Sequence, residues 1–467
     1  MVAEASISGA GRLPIGVVVP YWTFWESSVD YDLRADREQF AATAIAALAA
    51  DVLAVEIVAD ADNAARAAQR IEGAGAEAIL VLQTMAVPPA TTIPALGDLP
   101  VVVWAVHRRE RVPDDLDHGG ITSEGATVGT PMVASALART GRAFEVVVGR
   151  IDDAAVQAAV DGALRAAVGA RRISRGRIGK IGSPLPGYDF VDADAELLWE
   201  TTGAELVPIP PAEVRELYAA VEPERVRELE SETREIYDVQ VEGESLQRSL
   251  RAACALDDLV ARHRLDAGAM NCHVPEIRFG DEIGITPCFA LGRSASNGVP
   301  WSCTGDVLTA FALLTAKLLG GVAQYHELQA VDYTTDEFVI ASSGEFDLAL
   351  AGGERAKLIP NSWFAHDPRC GACACFSAPE GPATLVGFAQ LPTGFRLVAA
   401  EGEFTGRSWP GVGTANAAFR FARGRGPEAW EQWCRSGVGH HSAASRGHLG
   451  SAVATLARFL GLEAVVV

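Results

Sequence analysis

The sequence predicts an α/β protein, with two doubly wound α/β domains followed by a C-terminal antiparallel β-barrel-like domain. In the first third, short apolar runs alternate with helical stretches, the pattern of a parallel sheet covered on both faces. The same alternation starts again after residue 175. After about residue 330, glycine and proline turns separate the strand-like runs, which is typical of antiparallel sheets. The predicted domains are therefore 1–175, 176–330 and 331–467.

The first domain is predicted from strands that are apolar throughout. They read "IGVVVPYW" (Ile15–Trp22), "LAVEIVAD", "AILVLQ" and "PVVVWAV". Between them, "REQFAATAIAALAA" and "AARAAQRIEGAGA" have helical spacing. Because a strand without polar positions is buried on both faces, we expect helices on both sides of this sheet.

A basic connector, "ARRISRGR", leads into the second domain, which repeats the pattern with the strands "IGKIGSP" and "ELVPIPP". Its helices include "DAELLWETTGA", "PERVRELESETREIYD" and the strongly apolar Asp306–Gly321, which ends in two glycines. In the third domain, "DEFVIASSGEFDLAL", "ATLVGFAQL" and "GFRLVAAEGEF" are predicted strands. A last helix, "LGSAVATLARFLG", precedes the strand "EAVVV".

Composition narrows the class of protein. The formal net charge of the 467 residues is −21, which argues against nucleic acid or an anionic membrane as partner. No uncharged apolar run reaches ~18 residues, so we expect no membrane span. The start of the chain lacks a secretory pattern. Eight cysteines in so long a chain are unlike a disulfide scaffold, and a cytoplasmic location is expected.

Three residues form a candidate metal site. "SGVGHHSAASRGHLG" places His440 and His441 after a glycine turn. The pair reads either as structural imidazoles at a helix start or as one metal-binding ring, and the residues alone favour the first. Glu327 follows the apolar helix, and Glu345 ends the next strand-like run. Two carboxylates and an imidazole suit a hard divalent cation, although each glutamate also fits a solvated strand edge.

A cysteine cluster, "CGACAC" (Cys370–Cys375), contains a C-x-x-C unit. Structural zinc takes four ligands, and no second cysteine pair is near in sequence. We therefore interpret the cluster as a glycine-rich strand with small apolar residues.

The order of the motifs resembles the L-fucose and L-arabinose isomerase superfamily over nearly the whole chain. The motifs are "DAGAMNCHVPEI", "GITPCFALGRSASNGVPWSCTGDVLTAFALLTAKLLGG", "EGPATLVGFAQLPTGFRLVAAEGEF" and the closing "GVGHHSAASRGHLG". The resemblance implies that Glu327, Glu345 and His441 are metal ligands and that the two glutamates form the acid–base pair. The implied cofactor is a divalent metal, Mn²⁺ first, with Mg²⁺ or Co²⁺ as alternatives.

The chain departs from the family pattern around the implied substrate. Thr304 stands where fucose isomerases carry a catalytic, metal-binding glutamate, and threonine supplies neither that charge nor a titrating proton. Asn361 lies nearest to the place of an arabinose-type histidine. The candidate substrate-binding residues are Asn361, His366, Trp301, Thr304, Asp306, Glu124 and His440.

The expected function is a metal-dependent aldose–ketose isomerase that acts on a sugar or sugar-like substrate through an enediol. One alternative is a family member that has lost this activity and binds a ligand or partner, which Thr304 favours. Another is a metal-dependent lyase on the same scaffold. The resemblance also implies a homo-oligomer, a trimer or hexamer, in which a neighbour's first domain completes the site.

Overall fold

The computed structural model describes residues 13–123, 125–353, 355–364 and 366–467, which divide into two units. One unit holds residues 13–172 with Thr455–Gly461, and the other holds Ile173–Ala454 with Leu462–Val467. The unit Ile173–Ala454 contains most of both the second and the third predicted domains. No helix in these described ranges has both the length and the apolar character needed to cross a membrane.

The unit that begins at residue 13 contains a five-stranded parallel sheet. Its strands are β1 (Pro14–Pro20), β2 (Asp51–Val58), β3 (Ala78–Gln83), β4 (Val101–His107) and β5 (Phe144–Arg150), in the order β2-β1-β3-β4-β5. The helices are α1 (Leu33–Ala46), α2 (Ala61–Gly73), α3 (Pro89–Thr92), α4 (His118–Ser123), α5 (Ala126–Arg139) and α6 (Ala154–Ile173). Ile15, Val17 and Val19 pack in one apolar cluster and Val18 in another, so both sheet faces are covered as predicted.

The predicted connector "ARRISRGR" was placed too early. Its first four residues, 170–173, are the last turn of α6, because the apolar face of that helix continues to Ile173. The connection therefore begins only at Ser174.

The other unit begins with a parallel sheet. Its strands are β6 (Arg177–Ile181), β7 (Glu205–Ile209), β9 (Ala267–Met270) and β10 (Trp301–Ser302), in the order β10-β9-β6-β7; β8 (Asp238–Val239) lies outside it. The helices are α7 (Ala195–Thr202), α8 (Pro211–Ala220), α9 (Pro223–Ile236), α10 (Gly243–His263), α11 (Cys288–Ser296) and α12 (Val307–Gly320). Every residue from Val307 to Leu319 is buried, since α12 is apolar all round.

The C-terminal region is mostly antiparallel, as predicted. Its strands are β11 (Gln324–Asp332), β12 (Glu337–Ala341), β13 (Lys357–Pro360), β14 (Ala372–Cys375), β15 (Gly381–Leu391), β16 (Gly394–Phe404), β17 (Asn416–Phe421), β18 (His441–Arg446) and β19 (Glu463–Val466), with helices α13 (Gly426–Arg435) and α14 (Gly450–Leu460). Seven strands pair in the order β15-β18-β11-β12-β17-β16-β19, β15 also pairs with β16, and β19 is parallel to β16. A separate sheet has the order β14-β13-β8. The barrel-like form remains a prediction.

Two local predictions in this region have different outcomes. The expected strand over "DEFVIASSGEFDLAL" ends at Ala341, because the chain turns at Gly344, whose φ of 141° favours glycine. A 3-10 turn, Leu348–Ala351, follows, so Glu345 lies in a loop. The strand expected at the cysteine cluster is confirmed as β14.

Candidate active site

A cavity of about 220 Å³ lies within the unit Ile173–Ala454. It is smaller than the ~300–1,000 Å³ of pockets for drug-sized ligands, so it suits a small molecule. Glu327, Glu345 and His441 all line it, as do Thr304 and His440. The remaining lining residues are Tyr188, Cys272, His273, Thr286, Cys288, Cys303, Ser343, Trp363 and Phe364.

Strand register brings two of the predicted metal ligands together. β11 pairs with β18 in antiparallel fashion, and Glu327 stands directly opposite His441. Directly opposed residues project from the same face of a sheet. His441 Nε2 lies 3.7 Å from Glu327 Oε1. The glycine turn before "HHSAASR" thus leads into a strand, and the expected helix start comes later, at Gly450.

Asp306 holds the His441 ring in place. It is the N-cap of α12, where its Oδ1 accepts a hydrogen bond from the Thr309 amide at 2.7 Å. Its Oδ2 accepts from His441 Nδ1 at 2.8 Å. Because Nδ1 donates its hydrogen in this bond, Nε2 is the His441 nitrogen left to face Glu327, as in a carboxylate–histidine–metal arrangement. Asp306 lies outside the cavity lining, so it contacts the cavity only through the His441 ring.

The two glutamates have different surroundings. The Ser343 hydroxyl donates to Glu327 Oε1 at 3.2 Å and Gln329 Nε2 donates to Oε2 at 2.8 Å, and the Glu327 side chain is 19% exposed. Glu345 is 2% exposed, and no described residue makes a well-formed hydrogen bond to either of its carboxylate oxygens. Burial raises the pKa of Glu345 to about 7, although the nearby Cys303 thiol lowers it in part. Glu345 is therefore a carboxyl group poised to exchange a proton near neutral pH.

Sulfur atoms form another part of the cavity wall. Cys272 follows β9 and Cys303 follows β10, and these strands are adjacent and parallel. Their carboxyl ends therefore bring the two thiols together. A hydrogen bond from Cys303 is the main cause that lowers the pKa of Cys272 to about 5, helped by His273 and opposed by burial.

His273 is held from behind by a buried arginine. Arg278 Nη1 donates to His273 Nδ1 at 3.1 Å, and its Nη2 donates to Asp367 at 2.9 Å. The Arg278 guanidinium also lies 4.0 Å from the centre of the Phe364 ring. Sequence reasoning assigned no site role to Cys272, His273 or Arg278. The available signal was that Cys272 and Cys303 each follow a short apolar strand of a parallel sheet, whose carboxyl edge gathers functional side chains.

His440 and Thr304, two of the predicted substrate contacts, also line the cavity. The His440 ring lies 3.6 Å from that of His441, and burial, then the neighbouring His441, lower the pKa of His440. His440 also borders a second cavity of about 840 Å³. Thr304 has a left-handed φ of 54° and donates its hydroxyl to the Cys303 carbonyl at 2.8 Å.

Four predicted substrate-binding residues do not line the cavity: Asp306, described above, and the three that follow. Trp301 is a core residue that donates its Nε1 hydrogen to Ser294 Oγ at 3.0 Å. Asn361 is buried behind the wall, where its Nδ2 donates to the Ser343 carbonyl at 2.7 Å. His366 is exposed and outside the lining. Glu124 lies outside the described residues.

The site assembles the predicted metal ligands only in part. Within the described ranges, no group of three or more His, Cys, Asp or Glu side chains is arranged to hold a metal ion. Glu327 and His441 face each other across 3.7 Å, while Glu345 lines the same cavity separately. The donor types fit a divalent cation, since a buried carboxylate without a partner gains most from a positive charge.

Comparison with known proteins gives a consistent class. The L-arabinose isomerase C-terminal domain family matches residues 366–463. Sulfoquinovose isomerases of Priestia aryabhattai and of Priestia megaterium (strain ATCC 12872 / QMB1551) are each 24% identical over 373 residues, which is 79% of this chain and 80% of theirs. The sulfoquinovose isomerase of Alkalicoccus urumqiensis is 24% identical over 311 residues, 65% of this chain and 67% of its own.

Mixed α/β architecture, a cavity with paired carboxylates and histidines, and these relatives together define an enzyme of the sugar isomerase class. More particularly, the matched C-terminal domain and these relatives support the L-fucose/L-arabinose isomerase superfamily, which the chain resembles. The resemblance drawn from the ordered motifs is thereby confirmed.

Proposed function

We propose that this chain is a divalent-metal-dependent aldose–ketose isomerase that acts through an enediol intermediate. The observation that carries the proposal is Glu345, a buried carboxylate with a pKa of about 7 in the cavity that also holds the Glu327–His441 pair. Isomerisation moves a proton between adjacent carbons, and a general base works best when its pKa lies near the working pH.

The cation belongs to the proposal as well. Glu327, His441 and Glu345 would hold it, Mn²⁺ being the first candidate and Mg²⁺ or Co²⁺ the alternatives. When bound, such a cation polarises the substrate carbonyl and stabilises negative charge on the neighbouring oxygens.

Different side chains of this protein carry out the two proposed proton transfers. Glu345 removes the proton from C2 of the open-chain aldose and returns it to C1, because it is the group whose burial raises its basicity. Glu327 and the Ser343 hydroxyl, 3.2 Å apart, relay the proton between the two substrate oxygens. Asp306 keeps the His441 ring in one tautomer throughout.

The substrate class follows from the relatives. We propose sulfoquinovose, a sulfonated aldose, as the first substrate to test, since three related isomerases act on it. No lysine or arginine stands among the described residues of the cavity lining. The test therefore compares sulfoquinovose with glucose, which carries a hydroxyl in place of the sulfonate.

A second candidate function is ligand binding without turnover. Thr304, in place of the glutamate of fucose isomerases, favours it, because a threonine hydroxyl does not act as a base near neutral pH.

One experiment separates the two candidates. Purified protein is assayed for metal content and then incubated in D₂O with sulfoquinovose, glucose and a panel of other aldoses and ketoses. The proposal expects bound divalent metal, formation of the ketose and deuterium at the exchanging carbon. Tight binding of a sugar with no deuterium incorporation would establish the binding protein instead.

The assembly is also a proposal. The resemblance implies a trimer or hexamer with closed symmetry. A monomer seen by light scattering at micromolar concentration would contradict it.

A further inference from the structure

A single charged residue lies inside the apolar helix α12 and has no role in the proposed proton transfers. Lys317 is 4% exposed, and every other residue of the helix is apolar, a threonine or a glycine. Its Nζ lies 2.7 Å from Oδ2 of Asp347, whose side chain is fully buried. Removing two charges from water costs about as much as their attraction returns, so the main effect of such a pair is on geometry rather than on stability.

Asp347 anchors the loop that carries Glu345. It follows Glu345 by two residues, and its Oδ2 also accepts a hydrogen bond from the Ala323 amide at 2.9 Å. Its Oδ1 accepts from the Ala349 amide at 3.1 Å. Because Ala323 directly precedes β11, these contacts tie the loop both to α12 and to the start of that strand.

Gln324, the first residue of β11, makes the second attachment to this loop. It is 2% exposed. Its Nε2 donates to the Glu345 carbonyl at 3.0 Å, and its Oε1 accepts from the Asp347 amide at 3.0 Å. The same Nε2 donates to the Tyr325 carbonyl at 2.7 Å. One side-chain amide thus uses both its donor and its acceptor to bind the main chain on the two sides of residue 346.

The strand that begins with Gln324 also carries one member of the candidate metal pair. Three residues further on is Glu327, which stands opposite His441 in β18. Gln324 itself pairs with Ala444 in the same ladder, so both positions belong to one paired strand. The position of Glu345 relative to Glu327 and His441 is therefore set through the Gln324 side chain.

We propose that Gln324, together with the Lys317–Asp347 ion pair, is a positioning residue that holds Glu345 where it can share a cation and a substrate with Glu327 and His441. The inference rests on the proposed function, because it takes Glu345 as the base and as a metal ligand. A displacement of about 1 Å in an active site costs on the order of 10²-fold in rate, so a side chain that fixes this spacing is expected to matter for turnover.

The test uses Gln324→Met in the full-length protein, because methionine has a similar length and makes neither hydrogen bond. In the metal-free variant, hydrogen exchange of the Asp347 amide should be faster by about tenfold, since its acceptor is lost. The affinity for Mn²⁺ in equilibrium dialysis should fall by about 10–100-fold. At saturating Mn²⁺, kcat for deuterium exchange should fall by about the same factor.

Thr315→Val is the matched control. Thr315 is fully buried, and its hydroxyl donates to the Phe311 carbonyl at 3.0 Å within α12. Its loss should lower the free energy of unfolding and leave the amide exchange, the Mn²⁺ affinity and kcat near their wild-type values. If Gln324→Met does not fold, the double variant Lys317→Met with Asp347→Asn removes both charges together and should show the same losses of affinity and kcat.

Three results would overturn the inference. If Asp347 amide exchange is no faster in Gln324→Met than in Thr315→Val, Gln324 does not hold the loop. If the loop is loosened but Mn²⁺ affinity and kcat are unchanged, the position of Glu345 does not depend on it. Equal losses of affinity and kcat in Thr315→Val would mean a general effect of stability.

Failure of the proposed function gives a different result. Wild-type protein that neither binds Mn²⁺ nor exchanges deuterium contradicts that function. The Asp347 amide then confirms or overturns the attachment of the loop to Gln324 by itself, because hydrogen exchange needs neither metal nor substrate.

Discussion

Glu327 and Glu345 belong to the same cavity and are the same residue type, yet the protein treats them in opposite ways. Glu327 sits on a paired strand, accepts hydrogen bonds from Ser343 and Gln329, and faces His441. Glu345 lies in a loop and is 2% exposed. Its carboxylate oxygens accept no well-formed hydrogen bond from any described residue. Hydrogen-bond donors stabilise the charged form of a carboxylate, and burial without donors stabilises the neutral form.

The contrast teaches that position in the cavity wall assigns the chemical role. A carboxylate that accepts hydrogen bonds on a paired strand suits a ligand or a proton relay, and one that titrates near neutrality suits a base. The predictions below are arranged to break or sharpen this contrast, from the largest expected effect to the smallest.

The largest effects are expected in turnover. Glu345→Gln removes the proton-accepting oxygen, and Glu327→Gln removes the charge beside His441, so each should lower kcat by about 10²–10⁴-fold. The wild-type rate should rise as the pH approaches about 7, because Glu345 must lose its proton before it can bind the cation or accept a proton from the substrate, and Glu345→Gln should flatten that rise. Both variants should also bind the metal more weakly, because both glutamates are proposed ligands.

The measurement is deuterium exchange across a pH series with metal content assayed in parallel. A Glu327→Gln variant that keeps both its metal and near-native exchange would show that the two glutamates have been given the wrong roles.

The next largest effect is expected in folding stability, whose pH dependence should differ between the two glutamate variants. The pKa of Glu345 is about 7 in the folded chain against 4.5 when unfolded, so between these values the native state binds the extra proton. Stability then falls as pH rises from about 4.5 to 7. Glu345→Gln should be more stable than wild type by about 3 kcal/mol above pH 7 and equal to it below pH 4.5.

Chelator-treated protein and urea unfolding at several pH values test this expectation. Glu327→Gln is the matched control, and its difference from wild type should vary much less across the same range. An equal pH dependence in both variants would remove the distinction on which the choice of base depends.

Substitution of Asp306 should have a smaller effect on activity, because this residue acts through His441. Asp306→Asn keeps the N-cap of α12, since asparagine caps helices as well as aspartate does. It removes the charge that fixes the His441 tautomer. Metal affinity or activity should fall by about 10–100-fold, as for other carboxylates behind a ligating histidine.

Equilibrium dialysis with Mn²⁺ and kinetics at varied metal concentration measure this loss. Thr309→Val is the control. It removes the hydroxyl that donates to Asp306 Oδ2 beside His441 Nδ1, and it should change metal affinity little. If excess metal restores no activity to Asp306→Asn, the residue does not act on the ligand.

A structural feature could be predicted from the sequence where it follows a periodic or compositional pattern. The apolar strands β1 and β4 and the apolar helix α12 carry their burial in their own composition, and each was predicted where it lies. His441 and Glu327 followed from ordered motifs, and the strand register then placed them face to face. The burial of Glu345 has no local signature, because it arises from distant residues that close over a loop.

The cysteines of the cavity wall and the predicted substrate contacts outside it show the same limit. Cys272 and Cys303 are 31 positions apart in sequence and line the same cavity because β9 and β10 are neighbours. Trp301 precedes the same motif as Thr304 but lies on the strand, where its side chain enters the core. Which side of a short strand faces the cavity is a property of sheet packing, which two residues of sequence do not encode.

The smallest effect is expected at Thr304, the position where the family glutamate is missing. Its side chain faces the cavity, and its hydroxyl bonds the carbonyl of the preceding residue, Cys303. It takes no part in the proton transfers proposed for Glu345 and Glu327. Its φ of 54° costs about 1–2 kcal/mol for any residue with a Cβ atom, so alanine carries the same strain and should leave stability within about 0.5 kcal/mol of wild type. Thr304→Ala should therefore keep kcat within about tenfold of the wild-type value, a smaller loss than the 10²-fold expected when a general base is removed.

The assay is deuterium exchange by Thr304→Ala, measured beside Glu345→Gln under identical conditions. A Thr304→Ala loss as large as that of Glu345→Gln would mean that the hydroxyl contacts the reacting atoms, and that this chain has replaced the family glutamate rather than dispensed with it.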